Sequence, residues 1–409
     1  MNNSIKKCRV CGNDNLKNIL NLGSQYLTGI FPQRKSDLKS RFPLELVKCH
    51  GKKNCCNLVQ LRHNHNDFEK LFGLDYGYNS SLNPSMVEHL RKKVREVLKK
   101  FSIKKNDFIL DIGSNDATTL SFYPKSTRRI GFDPIGNKFK DNYKNMKLIN
   151  DYFSYELCKR HKISNVKIIN SFAMFYDLEN PNKFCNDISK IIDKDSGILV
   201  LEQCYLPLML ANNCYDTICH EHLAYYSLTQ ISYLAAKNDL KVINFEKNNV
   251  NGGSFSVVIA HRLSKQKINA SVKLTLKKEI RFKELSIFKR FANNVVNQKK
   301  KLRELIKELN LKQKKVFAIG ASTKGNVILQ YCELNSKNIK WIGEVNKNKF
   351  NKKTPGSWIN IIDENELLEK DPDYLLILPW HFRKFFLKSK KFSKINLIFP
   401  LPKLEIIHK

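Results

Sequence analysis

The sequence predicts an α/β protein built on mostly parallel sheets, and three observations carry that expectation. Residues 107–260 alternate short apolar strands with helical patterns whose apolar residues recur at three- and four-residue spacing. Residues 315–400 begin a second alternation of the same kind. Ahead of both stand two groups of cysteines, Cys8 with Cys11 and then Cys49, Cys55 and Cys56, in a stretch with little periodic structure over residues 1–65.

A chain of 409 residues has room for several cores, and 42% hydrophobic with 27% charged residues is a globular composition. No run reaches the ~18 apolar residues of a membrane-spanning helix, so no membrane partner is expected. The first residues, MNNSIKKCRVCGN, lack the apolar stretch of a signal peptide, and a cytoplasmic location is expected. The net charge of +34 comes from 72 basic and 38 acidic residues. Clustered, it would point to nucleic acid. Because Lys is scattered along the chain, we read it as compositional bias on solvated faces, and no nucleic-acid partner is expected. A phosphate-bearing ligand suits the same positive field.

Taken in order, DYGYNSSLNPSM leads into a basic helix, VEHLRKKVREVLKKF, which the serines near residue 80 are suited to cap. Strands are placed at DFILDIG, RRIGFDP, VKIINSF, SGILVLEQ, KVINFE and FSVVIA. Residues 270–311 read as a long basic amphipathic helix with one or two breaks. The second unit opens with KKVFAIG and a helix from Lys324, then NIKWIGEV, DYLLILP and INLIFP.

Cys8 and Cys11 are two residues apart and followed by Gly12, a turn that lets two thiolates face one ion. Structural zinc takes four ligands in a tetrahedron. The expected set is Cys8, Cys11, Cys49 and Cys56, with Cys55 competing for the last place and His50 a weaker competitor. A closed four-thiolate site supplies folding energy to a segment too small for its own core and leaves no open position for chemistry.

Phe108–Asp116 reads as an apolar strand, a Gly-containing turn and a helix start, where doubly wound sheets bind ligands. Asp133 ends the next strand and is placed to accept hydrogen bonds from a ribose diol. There is no GxGxxG, so D-I-G with a distal acid suits S-adenosylmethionine better than a nicotinamide cofactor. Asp111, Gly113, Ser114, Asn115 and Asp133, with Ser171 and Ser81, are the expected cofactor contacts.

At this point the chain resembles the bacterial sugar C-methyltransferases that make 3-C-methylated nucleotide sugars. The resemblance is carried by Cys56-Asn57-Leu58-Val59-Gln60-Leu61, Tyr76-Gly77-Tyr78-Asn79-Ser80-Ser81 and L-D-I-G-S-N-D, with Ala117 where a Gly is usual. It continues through the segment Asn170–Leu178, the segment Tyr215–Tyr226 around His220-Glu221-His222, Asn251-Gly252-Gly253-Ser254, the segment Gly320–Asn326 and Thr354-Pro355-Gly356. It implies a zinc-binding module (1–68), a class I, Rossmann-like S-adenosylmethionine-dependent methyltransferase core (69–270), and a helical segment with a second Rossmann-like α/β domain that grips a nucleotide sugar (271–409). It also implies a base from the H-E-H segment, His222 by position, with Glu221 beside it. His220, Asn251, Gly253, Ser322 and Lys324 are the implied sugar-nucleotide contacts. Some relatives have Tyr where this chain has Cys219.

Carbon methylation needs a carbanion equivalent, and a ketone next to the reacting carbon supplies one as an enolate. The protein must then offer a base near the carbon and donors near the oxygen. A neutral imidazole is a suitable base, and Tyr76, Tyr78, Ser80 and Ser81 are hydroxyl donors in reach of the same pocket by sequence. Tyr225 and Tyr226 read as core. The rival readings are an O- or N-methyltransferase on a capsule or lipopolysaccharide sugar, and a zinc-containing RNA-binding protein or RNA methyltransferase. A monomer or weak homo-oligomer is expected.

Overall fold

The computed structural model describes residues 3–38, 40–51, 55–64 and 79–409. The N-terminal part is a β-sheet, which corrects the expectation of little periodic structure. Strands β1 (Leu16–Gln25), β2 (Phe42–Cys49) and β3 (Val59–Leu61) pair antiparallel. Leu20, Leu22, Leu44 and Leu46 are buried in it. The register of β1 slips between Asn18 and Leu20 and again between Asn21 and Ser24, and these bulges mask the two-residue alternation that marks a strand.

Helix α1 (Pro84–Lys100) starts at Asn83, whose side chain accepts the Ser85 N–H. The N-cap is therefore Asn83 rather than the serines at 80 and 81, and Pro84 sits in the first turn, where a missing N–H costs nothing. The central sheet follows with β4 (Phe108–Ile112), α2 (Thr118–Ser121), β5 (Arg128–Phe132), β6 (Lys147–Ile149), α3 (Tyr155–Arg160), β7 (Ile168–Phe172), α4 (Pro181–Ile191), β8 (Ile198–Cys204) and α5 (Leu206–Ala211). The short strand β9 (Ala224–Tyr225) leaves this sheet and pairs with β3, extending the N-terminal sheet to four strands. Then come α6 (Leu228–Lys237), β10 (Leu240–Asn248) and β11 (Ser254–His261).

The seven-stranded order is β10-β11-β8-β7-β4-β5-β6. Strands β4 to β8 run parallel, and β11 runs antiparallel to both neighbours. This is the mostly parallel, doubly wound arrangement that the sequence predicts. The continuous burial of β8 and β11 fits strands covered on both faces.

Helix α7 (Ala270–Glu279) and the 27-residue α8 (Leu285–Leu311) are separated by a break at Ile280–Glu284. The second unit contains β12 (Val316–Ile319), α9 (Thr323–Tyr331), β13 (Trp341–Glu344), β14 (Asn360–Asp363), α10 (Glu364–Glu369), β15 (Tyr374–Ile377), α11 (Arg383–Lys388), β16 (Asn396–Phe399) and β17 (Glu405–Ile407). Its order is β14-β13-β12-β15-β16-β17, parallel except for the last strand. One apolar cluster runs from β1 and β2 through Tyr215–Leu223 and α8 into this sheet. A second joins the cysteines to one face of the central sheet. No helix among the described residues is long and apolar enough to cross a membrane.

Candidate active site and metal centre

The turn after β4 is fixed to the end of β5. Gly113 and Ser114 donate their N–H groups to the Phe132 carbonyl at 2.9 and 3.3 Å. The Asp133 carboxylate accepts the N–H of Asn115 at 2.7 Å and of Ile135 at 2.9 Å. Gly113 has φ +75°, and a Cβ there would meet Met174 at 3.0 Å, so the turn tolerates no side chain. Ser114 Oγ and Tyr143 Oη lie 2.7 Å apart, and Tyr143 donates to the Asn115 carbonyl. Ala117 has φ +63°, a left-handed conformation that a Gly would adopt at less cost.

Ser80 and Ser81 are laced onto this turn across 35 residues of sequence. The Ser80 N–H donates to Asn115 Oδ1 at 3.0 Å and the Ser81 N–H to Asp116 Oδ2 at 2.8 Å. Ser171, at the end of β7, is fully buried with its Oγ lacking a hydrogen-bond partner among the described residues. Burial pushes the Asp111 carboxyl up to about 8, with the charge of Asp133 adding to it. Burial also raises Asp133. Tyr76 and Tyr78 lie outside the described residues.

The H-E-H loop sits between the central sheet and the second unit. His222 Nδ1 donates to the Thr217 carbonyl at 2.8 Å. That bond fixes the tautomer and leaves Nε2 with a lone pair. The imidazole packs on Tyr176, ring centroids 4.1 Å apart, and lines a narrow cavity with Cys204, Thr217 and Tyr225. Burial lowers the His222 pKa to about 4, and the Lys324 charge lowers it further against the Thr217 bond. Glu221 is buried, its Oε2 has no hydrogen-bond partner among the described residues, and burial raises its pKa. Asp177 nearby is raised by burial and by Glu221. His220 turns to the N-terminal sheet, its Nε2 donating to the Phe42 carbonyl at 3.1 Å. Cys219 is fully buried, and burial lifts its thiol well above the ordinary range. It stays protonated as a donor to Glu221.

The second unit delivers Lys324 to this loop. Its Nζ donates to the Asn251 carbonyl at 2.7 Å. Burial opposes its charge, but Asp216 and neighbouring thiols outweigh that and leave the pKa raised. Asp216 is fully buried and accepts the Trp380 indole N–H at 2.8 Å. Ser322 caps α9, its Oγ accepting the Gly325 N–H at 3.1 Å. Gly253 packs so that a Cβ would lie 2.7 Å from Leu208. Gly29, in the loop after β1, stands between Glu221 and the start of α9. A Cβ there would lie 2.8 Å from Glu221 Oε1 and 3.7 Å from Thr323 Oγ1. His222, Glu221, Asn251 and Lys324 therefore come together, and Ser322 lies one turn away, while His220 faces elsewhere. Sequence reasoning missed Tyr176, Asp177, Asp216 and Trp380. The first three lie in segments that carried the resemblance, but no spacing there signals a role.

The Sγ atoms of Cys8, Cys11, Cys49 and Cys56 all lie within 4.8 Å of one another, the only such metal-ligating group among the described residues. Four thiols at this separation are the donor set of structural zinc. Cys55 Sγ lies 3.4 Å from Cys49 Sγ but is not part of the four-thiol group. Asn13 Nδ2 donates to Cys49 Sγ at 3.5 Å, and the buried Lys48 ammonium donates to Asn57 Oδ1 at 2.8 Å. Both offset thiolate charge from outside the ligand set. The centre is docked on the central sheet's helices: Gln230 Nε2 donates to the Cys56 carbonyl at 2.7 Å and Asn182 Nδ2 to the Val10 carbonyl at 2.9 Å.

With these features in place, the comparisons with known proteins are informative. Residues 249–402 match the family model described as "C-methyltransferase C-terminal domain", and residues 8–72 match the one described as "Putative zinc binding domain". Together with the central sheet they define the class: a zinc-binding, S-adenosylmethionine-dependent methyltransferase. The chain is 28% identical over 417 aligned residues to "C-methyltransferase NovU" of Streptomyces niveus, covering 98% of this chain and 97% of that protein. Among solved structures, a methyltransferase from Aquifex aeolicus is similar over 43% of this chain and 97% of its own, at 16% identity and TM-score 0.30. Magnesium protoporphyrin IX methyltransferase of Synechocystis, with bound SAH, is similar over 44% and 88%, at 9% identity and TM-score 0.35.

Proposed function

We propose that the chain transfers a methyl group to carbon in a nucleotide-linked keto-deoxysugar, through an enolate formed by His222. The observation that carries this is the Thr217 carbonyl on His222 Nδ1. It aims a lone pair on Nε2 from a ring kept neutral by burial, the state a general base requires. The residues around the first turn fit the methyl donor: Asp133 at a strand end and the unpartnered Ser171 hydroxyl are acceptors and donors for an adenosyl group. Bound there, S-adenosylmethionine supplies an electrophilic methyl group to the enolate carbon.

His222 takes the proton from the carbon beside the ketone. Burial biases Glu221 toward its protonated form, which can donate to a sugar oxygen. Lys324 brings positive charge to the same space, where an enolate oxygen or a phosphate gains most from it. The start of α9, with Ser322 and Thr323, offers N–H groups to a diphosphate. At Gly29 the backbone passes so close to Glu221 and the helix start that a Cβ would lie 2.8 Å from Glu221 Oε1. Holding both reactants in place supplies ~7–11 kcal/mol of barrier reduction in favourable cases. In cells such a product would feed surface polysaccharide or glycoconjugate synthesis.

The test is incubation with labelled methyl donor and a panel of nucleotide 4-keto-sugars in deuterated water. Deuterium entering next to the ketone without the donor, and a carbon-bound methyl group with it, are the expected results. A methyl ether product would overturn the reading.

A further inference from the structure

The two α/β units share one construction in detail. Their strands follow the same order around the first strand: β8-β7-β4-β5-β6 in one and β16-β15-β12-β13-β14 in the other. Each first strand ends in a glycine with positive φ, Gly113 at +75° and Gly320 at +86°. Each glycine donates its N–H to the carbonyl that ends the neighbouring strand's apolar run, Gly113 to Phe132 at 2.9 Å and Gly320 to Gly343 at 2.8 Å. In each unit the next residue is a buried acid, Asp133 and Glu344. Each acid accepts the N–H two residues further on, from Ile135 at 2.9 Å and from Asn346 at 3.0 Å.

We propose that Glu344 does in the second unit what an acid at this position does in nucleotide-binding sheets: it accepts hydrogen bonds from the ribose hydroxyls of the substrate's nucleotide. This rests on the nucleotide-sugar reading and extends it to a residue and a ligand group. Glu344 Oε1 is taken by the Val345 and Asn346 N–H groups, which orient the carboxylate. Oε2 faces the Lys349 ammonium at 3.7 Å. Lys349 donates to the Ala321 carbonyl at 2.8 Å and lies 4.6 Å from the Phe31 ring centroid, so it spans the acid and the turn.

Charge separates the two crevices. The first turn is lined by Asp116 and Asp133, which suits a cationic methyl donor. The second is flanked by Lys324 and Lys349, which suits a diphosphate.

The experiment is calorimetry on the zinc-loaded full chain with uridine, thymidine, guanosine, cytidine and adenosine diphosphates. The tightest of them is compared with its 3′-deoxy analogue. Wild type is expected to prefer the hydroxylated ligand by about tenfold, and Glu344→Gln to lose most of that preference, with S-adenosylmethionine affinity unchanged. An unchanged preference in Glu344→Gln would overturn the proposal. If that variant fails to fold, the absence of any preference in wild type overturns it equally. Methyl transfer to a nucleotide keto-sugar is measured in parallel. Transfer without ribose preference removes only this inference, whereas no diphosphate binding and no transfer remove the substrate reading as well.

Discussion

The indole N–H of Trp380 donates to Asp216 Oδ2 across 2.8 Å, tying the end of β15 to the segment that leads into the H-E-H loop. Asp216 is fully buried and its Oδ1 has no hydrogen-bond partner among the described residues. Trp380→Phe removes a donor from a buried carboxylate and is expected to cost ~1–3 kcal/mol of stability. Because Lys324 faces the same carboxylate, KM for the sugar substrate should rise more than kcat falls. Urea denaturation and steady-state kinetics check the two parts; an unchanged KM would separate Asp216 from substrate binding.

His222 sets the pH response. Its pKa is held at about 4, so the fraction in the basic form is constant at higher pH. Deuterium exchange beside the ketone should be flat from neutral pH into mild acid and fall only near pH 4. A midpoint at the ordinary histidine value would contradict this. The same shift lowers stability in acid. An unfolded chain binds the proton near ~6.5, while the folded one refuses it until about 4, so unfolding becomes easier as pH falls through that window. His222→Gln should slow exchange by ~10²–10⁴ without weakening donor affinity.

Asp111 predicts a proton released on donor binding. Its pKa of about 8 leaves it protonated at neutral pH, and a cationic ligand favours the carboxylate. Titration calorimetry in buffers of different ionisation heat should show proton release near pH 7 that disappears above pH 9. Asp111→Asn should abolish it.

Gly29→Ala places a methyl group 2.8 Å from Glu221 Oε1. Glu221 must then shift from its present place, and turnover should drop by at least about tenfold while the donor still binds. Equal activity would show that the position of Glu221 does not govern turnover.

Metal content distinguishes the thiols. Cys49→Ser and Cys56→Ser should lose zinc, while Cys55→Ser should retain about one ion per chain. Chelation should lower the melting temperature, because the centre is docked on α4 and α6 through Asn182 and Gln230.

The parallel strands were legible because burial on both faces writes them as apolar runs, as in Ile198–Leu201. The four thiols were legible from spacing. The N-terminal sheet was not, since the bulges of β1 break its alternation. Nor was the short β6, of which only Ile149 is buried. The buried acid Asp133 followed from a strand that ends in Asp. The same rule applied to NIKWIGEV marks Glu344, but the second unit offered no D-I-G to draw attention to it. Asp216 and Trp380 are 164 residues apart, and no local pattern links them.

Strand β9 has a consequence for how the polypeptide comes into being. Ala224 and Tyr225 complete a sheet begun by residue 16, pairing with Gln60 and Val59. A nascent chain emerging from the ribosome therefore carries an open edge at β3 until the segment after the H-E-H loop has been synthesised. Closing that edge and seating His222 are one event, so a truncated product ending before Tyr225 should be captured by chaperones rather than persist as a folded zinc fragment.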